Sequence, residues 1–140
     1  MPKSHPTVTH IDKAPVHARG DGVETLPLVG AENSGGARVT TGVTRFPPGT
    51  KVPYHSHNCD EQVLILEGEA QVDIEGHPST RVARHDMSYI PQGLSHRFVN
   101  VGKGPLAILW IYDTPEVTRT FTETGKTVPH LSAYDKVAAK

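Results

Sequence analysis

Gly49-Thr50-Lys51-Val52-Pro53-Tyr54-His55-Ser56-His57-Asn58-Cys59-Asp60-Glu61 places two histidines and a glutamate within seven residues of one another. Lys51 to His57 reads as extended chain, and a strand sends residues two apart to the same face. His55 and His57 therefore project together. Asn58-Cys59-Asp60 is a polar turn, and Glu61 opens the next apolar run. If the two strands pair as a hairpin, the carboxylate reaches the point the imidazoles face. Three imidazole or carboxylate donors then need one more partner, and His96, at the start of a later strand, supplies it if the strands close into a barrel.

Outward from this stretch the chain reads as strand, turn, strand. Val39 to Phe46 is β-branched and stops at Pro47-Pro48-Gly49, while Glu61 to Leu66 is an apolar run turned by Glu67-Gly68. Glu69 to Glu75 alternates charged and apolar residues, as a half-exposed strand does. Thr80 to Arg84, Met87 to Ile90, His96 to Val101 and the strongly apolar Leu106 to Tyr112 follow, separated by His85-Asp86 and Pro91-Gln92-Gly93. Val117 to Val128 is a threonine-rich hairpin turning at Thr124-Gly125-Lys126. Strands at such intervals predict an all-β barrel or sandwich with little or no helix. The expected organisation is an irregular segment over 1–36, containing a short strand at Val23 to Val29, a barrel over 37–115 and a hairpin and tail over 116–140. One last helical turn is expected near Ser132 to Ala139.

Composition limits the function classes. The 140 residues fit one domain, with 36% hydrophobic residues and abundant Gly (13) and Pro (12). A formal charge of −1 with no basic run argues against nucleic acid and against a polybasic membrane patch. Cys59 is the single cysteine, so no internal disulfide forms. The polar N-terminus has no apolar signal core, and Leu106 to Tyr112 is too short to span a bilayer, so a cytoplasmic protein is expected. Of nine histidines, His5, His10, His17, His77 and His130 read as solvated surface groups.

The opening stretch resembles the first cupin motif, G-x5-H-x-H-x3-E-x6-G, at Gly49, His55, His57, Glu61 and Gly68. The second cupin motif, G-x5-P-x-G-x2-H-x3-N, is met at Pro91, Gly93, His96 and Asn100, with His85 in place of its opening glycine. The resemblance implies a double-stranded β-helix, or jelly-roll barrel, of antiparallel sheets. It also implies His55, His57, Glu61 and His96 as ligands of one divalent transition metal in the barrel mouth. Small cupins commonly form homodimers, and the first 36 residues and the 117–128 hairpin have too few apolar residues to stand alone. A homodimer, with N-terminal strand exchange as one route, is therefore expected.

Three imidazoles with one carboxylate suit Fe, Mn, Ni, Zn, Co or Cu better than Ca or Mg. Four protein ligands leave two octahedral positions open, as in catalytic sites. Phe98, two residues from His96, should share its inward face, and Arg45, Met87, Trp110 and Tyr112 are further pocket candidates. A buried arginine beside a metal would favour an anionic substrate, and Arg45 is the candidate for that role. Tyr54 and Tyr89 are the candidates for a second base. His85 reads as a turn residue, Cys59 as an inert thiol and Asn100 as a turn anchor. The expected function is a metalloenzyme acting on a small organic molecule, either a dioxygenase or a metal-assisted isomerase or lyase. The alternative is a cupin that binds or senses a small ligand without turning it over.

Overall fold

A computed structural model of the protein describes residues 3–136. Twelve strands run through them: β1 (His17–Gly20), β2 (Val23–Val29), β3 (Thr40–Phe46), β4 (His55–His57), β5 (Glu61–Glu67), β6 (Glu69–Ile74), β7 (Thr80–Ala83), β8 (Met87–Ile90), β9 (His96–Asn100), β10 (Leu106–Tyr112), β11 (Thr118–Phe121) and β12 (Thr127–Pro129). One sheet has the order β1-β2-β3-β10-β5-β8 and the other β12-β11-β4-β9-β6-β7, every pairing antiparallel. The two sheets face each other as the jelly-roll barrel that the strand spacing predicted. Among the described residues, helix is confined to a single turn at Ala31–Ser34 and a 3-10 turn at Ile11–Lys13. The expected last helical turn lies partly in residues 137–140, outside the described residues, and its described part is not helical.

Alternation decides which side chains enter the barrel. On β5, Glu61, Val63 and Ile65 point in, and on β10 Leu106, Ile108, Trp110 and Tyr112 do, all of them buried. Val72 and Phe98 meet them from the facing sheet and close one continuous core. Trp110 lies across β3 at Gly42, its register partner. A Cβ on Gly42 would collide with the indole and come within 2.7 Å of the Leu26 carbonyl. His85 adopts φ 76°, a left-handed turn position that histidine tolerates and the cupin motif fills with glycine. Asn100 ties the turn after β9: its Nδ2 donates to the Phe46 and Gly104 carbonyls, each at 3.0 Å, and its Oδ1 accepts from Gly102 N at 3.0 Å.

One expectation about neighbours changes. β4 and β5 do not form a hairpin; β4 pairs with β9 and β11, while β5 pairs with β10 and β8. The turn Asn58-Cys59-Asp60 instead carries the chain from one sheet to the other. Glu61 therefore approaches the histidines from across the barrel. The terminal segments also find their surface within the same chain, since β2 pairs with β3 and β11 with β4.

Candidate metal centre

His55 and His57 sit on β4 and His96 opens β9, with His55 and His96 as register partners. All three are buried, and their ligand atoms lie within 4.8 Å of one another, so the three imidazoles could hold a metal ion. Glu61 Oε1 lies 2.8 Å from His96 Nε2 and 3.6 Å from His57 Nε2. Each ring is oriented by the backbone. Nδ1–H of His55 donates to the Pro53 carbonyl at 2.7 Å, that of His57 to Thr118 at 3.0 Å and that of His96 to Leu94 at 2.9 Å. A carbonyl only accepts, so the proton stays on Nδ1 and the Nε2 lone pairs face the centre.

The donor set fits a cation on chemical grounds. His96 Nε2 and Glu61 Oε1 both carry lone pairs at 2.8 Å. Their approach requires positive charge, either a second proton on His96 or a cation among the four residues. Burial, the largest influence, drives His57 down to about 4 despite the opposing pull of Glu61. Burial and the charge of Arg119 hold His55 well below its ordinary value. Both are thus neutral, metal-competent imidazoles at neutral pH. Burial, the largest influence, would raise Glu61, but its contact with His96 and the neighbouring His57 and Arg119 outweigh it and lower its value. The carboxylate is ionised.

The cavity at this centre is small, with about 20 Å³ open to the centre of a water molecule, room for about one water. Of the five pocket candidates, Phe98, Trp110 and Tyr112 line it. The Tyr112 hydroxyl lies 3.4 Å from His57 Nε2, and burial together with Glu61 holds it a protonated phenol. Arg45 and Met87 point to solvent from β3 and β8. They cannot serve the pocket, because alternation turns them outward. Tyr54 and Tyr89, the base candidates, also lie outside it. Tyr54 is 37% exposed, stacked under the Arg97 guanidinium at 4.3 Å, and Tyr89 is 56% exposed and donates to Asp60 Oδ2 at 3.1 Å. Cys59 faces the core, where burial pushes its thiol to about 12.

Sequence reasoning missed four residues. His130, read as a surface group, lines the cavity with its ring 5.1 Å from Trp110 and 5.2 Å from Tyr112. Arg119, on β11 opposite His57, also lines it, behind a buried ion-pair network with Arg19 and Asp135. The cavity arginine sought at Arg45 is Arg119.

The Cupin domain family matches residues 42–112, from β3 through β10. The chain is a cupin. Auxin-binding protein 1 of Arabidopsis thaliana is 26% identical over 137 residues, covering 91% of this cupin and 69% of that protein. Dimethylsulfoniopropionate lyase DddQ of Ruegeria pomeroyi is 39% identical over 54 residues, 39% of this chain and 27% of the lyase. Among solved structures, an oxalate oxidase superposes with a TM-score of 0.67 at 23% identity, over 79% of this chain. This cupin spans 61% of that oxidase chain and little more than a quarter of the lyase. The structural likeness speaks for the fold. His55, His57, Glu61 and His96 all fall inside the family match, whereas Arg19, Arg119, His130 and Asp135 fall outside it.

Proposed function

We propose that this cupin is a metalloenzyme that acts on a small organic molecule, with one divalent transition ion held by His55, His57, Glu61 and His96. The observation that carries the reading is the convergence of three Nε2 lone pairs and an ionised carboxylate, with every Nδ1 committed to a backbone carbonyl. Such an ion would supply Lewis acidity or, as iron or manganese, one-electron chemistry with O2. The protein's own residues do the rest. The aromatic wall of Phe98, Trp110 and Tyr112 limits what enters and keeps water out. Tyr112, a buried phenol beside the ligand nitrogens, can donate a hydrogen bond to bound substrate but is held too firmly protonated to act as a base. That role suits either a dioxygenase or an isomerase or lyase.

A metal assay of the purified protein beside His57→Ala and Glu61→Ala tests the site. One ion per chain in the wild type and none in either variant is expected. Retention of metal by both variants would overturn the assignment, because loss of one ligand should cost orders of magnitude in affinity. Oxygen uptake by iron-loaded protein separates a dioxygenase from an isomerase or lyase. The likeness to auxin-binding protein 1 over most of the chain favours a second reading, a cupin that binds a small ligand without turnover. Ligand-induced stabilisation of the metal-loaded protein with no product formed would support it.

A further inference from the structure

Two arginines are buried around this cavity, and they are used very differently. Arg19, 2% exposed, has three committed hydrogen bonds. Its Nε donates to the Asp135 carbonyl at 2.9 Å, Nη1 to Thr25 Oγ1 at 2.8 Å and Nη2 to Asp135 Oδ1 at 2.7 Å. Asp135 Oδ2 accepts from Leu131 N at 2.9 Å. Arg119, 5% exposed, lies against the same carboxylate, with Nε 3.1 Å from Asp135 Oδ1, yet its Nε and Nη1 complete no hydrogen bond. A guanidinium with unfilled donors is costly to bury. This one lines the cavity together with His55, Glu61 and His96.

Charge points the same way. Two guanidiniums and a divalent ion against the carboxylates of Glu61 and Asp135 leave an excess of two positive charges in a closed space. A neutral ligand would leave that excess uncompensated, whereas an organic acid would offset it. The planar fork of an arginine matches a carboxylate in two places.

We propose that Arg119 is the carboxylate anchor of this site, placed by Asp135 and Arg19, and that the cupin takes a small organic acid with a metal-binding oxygen at its other end. The second contact and the charge excess rest on the metal reading above; the unfilled donors of Arg119 do not. The cavity as it stands has room for about one water, so an acid of two or three carbons enters only if the lining side chains shift.

Calorimetric titration of the metal-loaded protein with glycolate and with glycolamide, its neutral amide of nearly equal size, tests the proposal. Glycolate is expected to bind at least about tenfold more tightly than glycolamide. Arg119→Gln should keep one metal per chain while losing that preference, and Arg119→Lys should retain part of it. Equal affinity for acid and amide in the wild type overturns the proposal, as does an Arg119→Gln protein that still prefers the acid. If Arg119→Gln does not fold, the wild-type comparison and Arg119→Lys decide. A wild type that takes up no metal yet binds glycolate through Arg119 would sink the metal reading and leave the anion site standing. A metal-loaded wild type indifferent to glycolate would sink only the anion site.

Discussion

His55, His57 and His130 are each held below their ordinary value of 6.5, burial being the largest cause in every case. Below pH 6.5 the unfolded chain takes up protons that the folded chain refuses, so stability falls as pH falls, for His57 down to about 4. Glu61, lowered in the fold from 4.5, acts in the same direction: its contribution is present above that value and is lost as pH drops through the folded value. Chelator-treated protein should therefore melt several degrees lower at pH 5 than at pH 7, since each kcal/mol lost shifts a chain of this size by roughly 4 °C. An unchanged or higher melting temperature at pH 5 would contradict the burial assigned to these rings. At this scale His55 and His57 were legible from the period of a strand alone, while Glu61 and His96 rested on the resemblance to the cupin motifs. Arg119 was missed, although a signal for it existed: it alternates with the buried Val117 and Phe121, and an arginine between two inward apolar neighbours enters the core. His130 follows no such period; only the fold of the tail brings it to Trp110.

Between strands, the legible part was where each one starts and stops, and the illegible part was what it pairs with. A polar turn such as Asn58-Cys59-Asp60 can close a hairpin or cross between sheets, and its residues are the same in both cases. The outcome is decided by long-range pairing: Glu61 lies opposite Tyr112 and Ile90, far from it in sequence. Gly42 shows the same dependence. Within its β-branched strand it looks like a weakness, and only the register with Trp110 explains it. Gly42→Ala should destabilise the barrel by about 1–3 kcal/mol through overpacking. It should also red-shift the emission of Trp110, the single tryptophan, as the indole is pushed from its bed. A variant of wild-type stability in urea, with unchanged emission, would mean that the β3–β10 contact is looser than the structure describes.

Across the whole molecule, the buried ions join segments that the chain's length keeps apart. Arg19 lies on β1 near the start, Arg119 on β11 and Asp135 near the end, and Arg19 also reaches the core through Thr25, Thr44 and Trp110. The Thr25 and Thr44 hydroxyls are 2.9 Å apart, and the indole N–H donates to Thr44 Oγ1 at 2.9 Å. Burial and the neighbouring Arg119 lower Arg19 to about 10, which still leaves it charged at neutral pH. Asp135→Asn removes the carboxylate the two guanidiniums share and leaves like charges facing each other in a dry interior. Breaking such a pair by one partner costs about 3–5 kcal/mol, far more than an exposed contact is worth. Lys136→Ala is the control, because its ammonium donates to the Ala18 carbonyl at the exposed surface, and it should change stability by less than about 0.5 kcal/mol. Urea unfolding of both variants makes the comparison. Near-equal midpoints would mean that the tail is an appendage; a large gap would mean that the residues around Asp135 belong to the barrel's own stability, and that the arginine facing the metal centre is held in place from both ends of the chain.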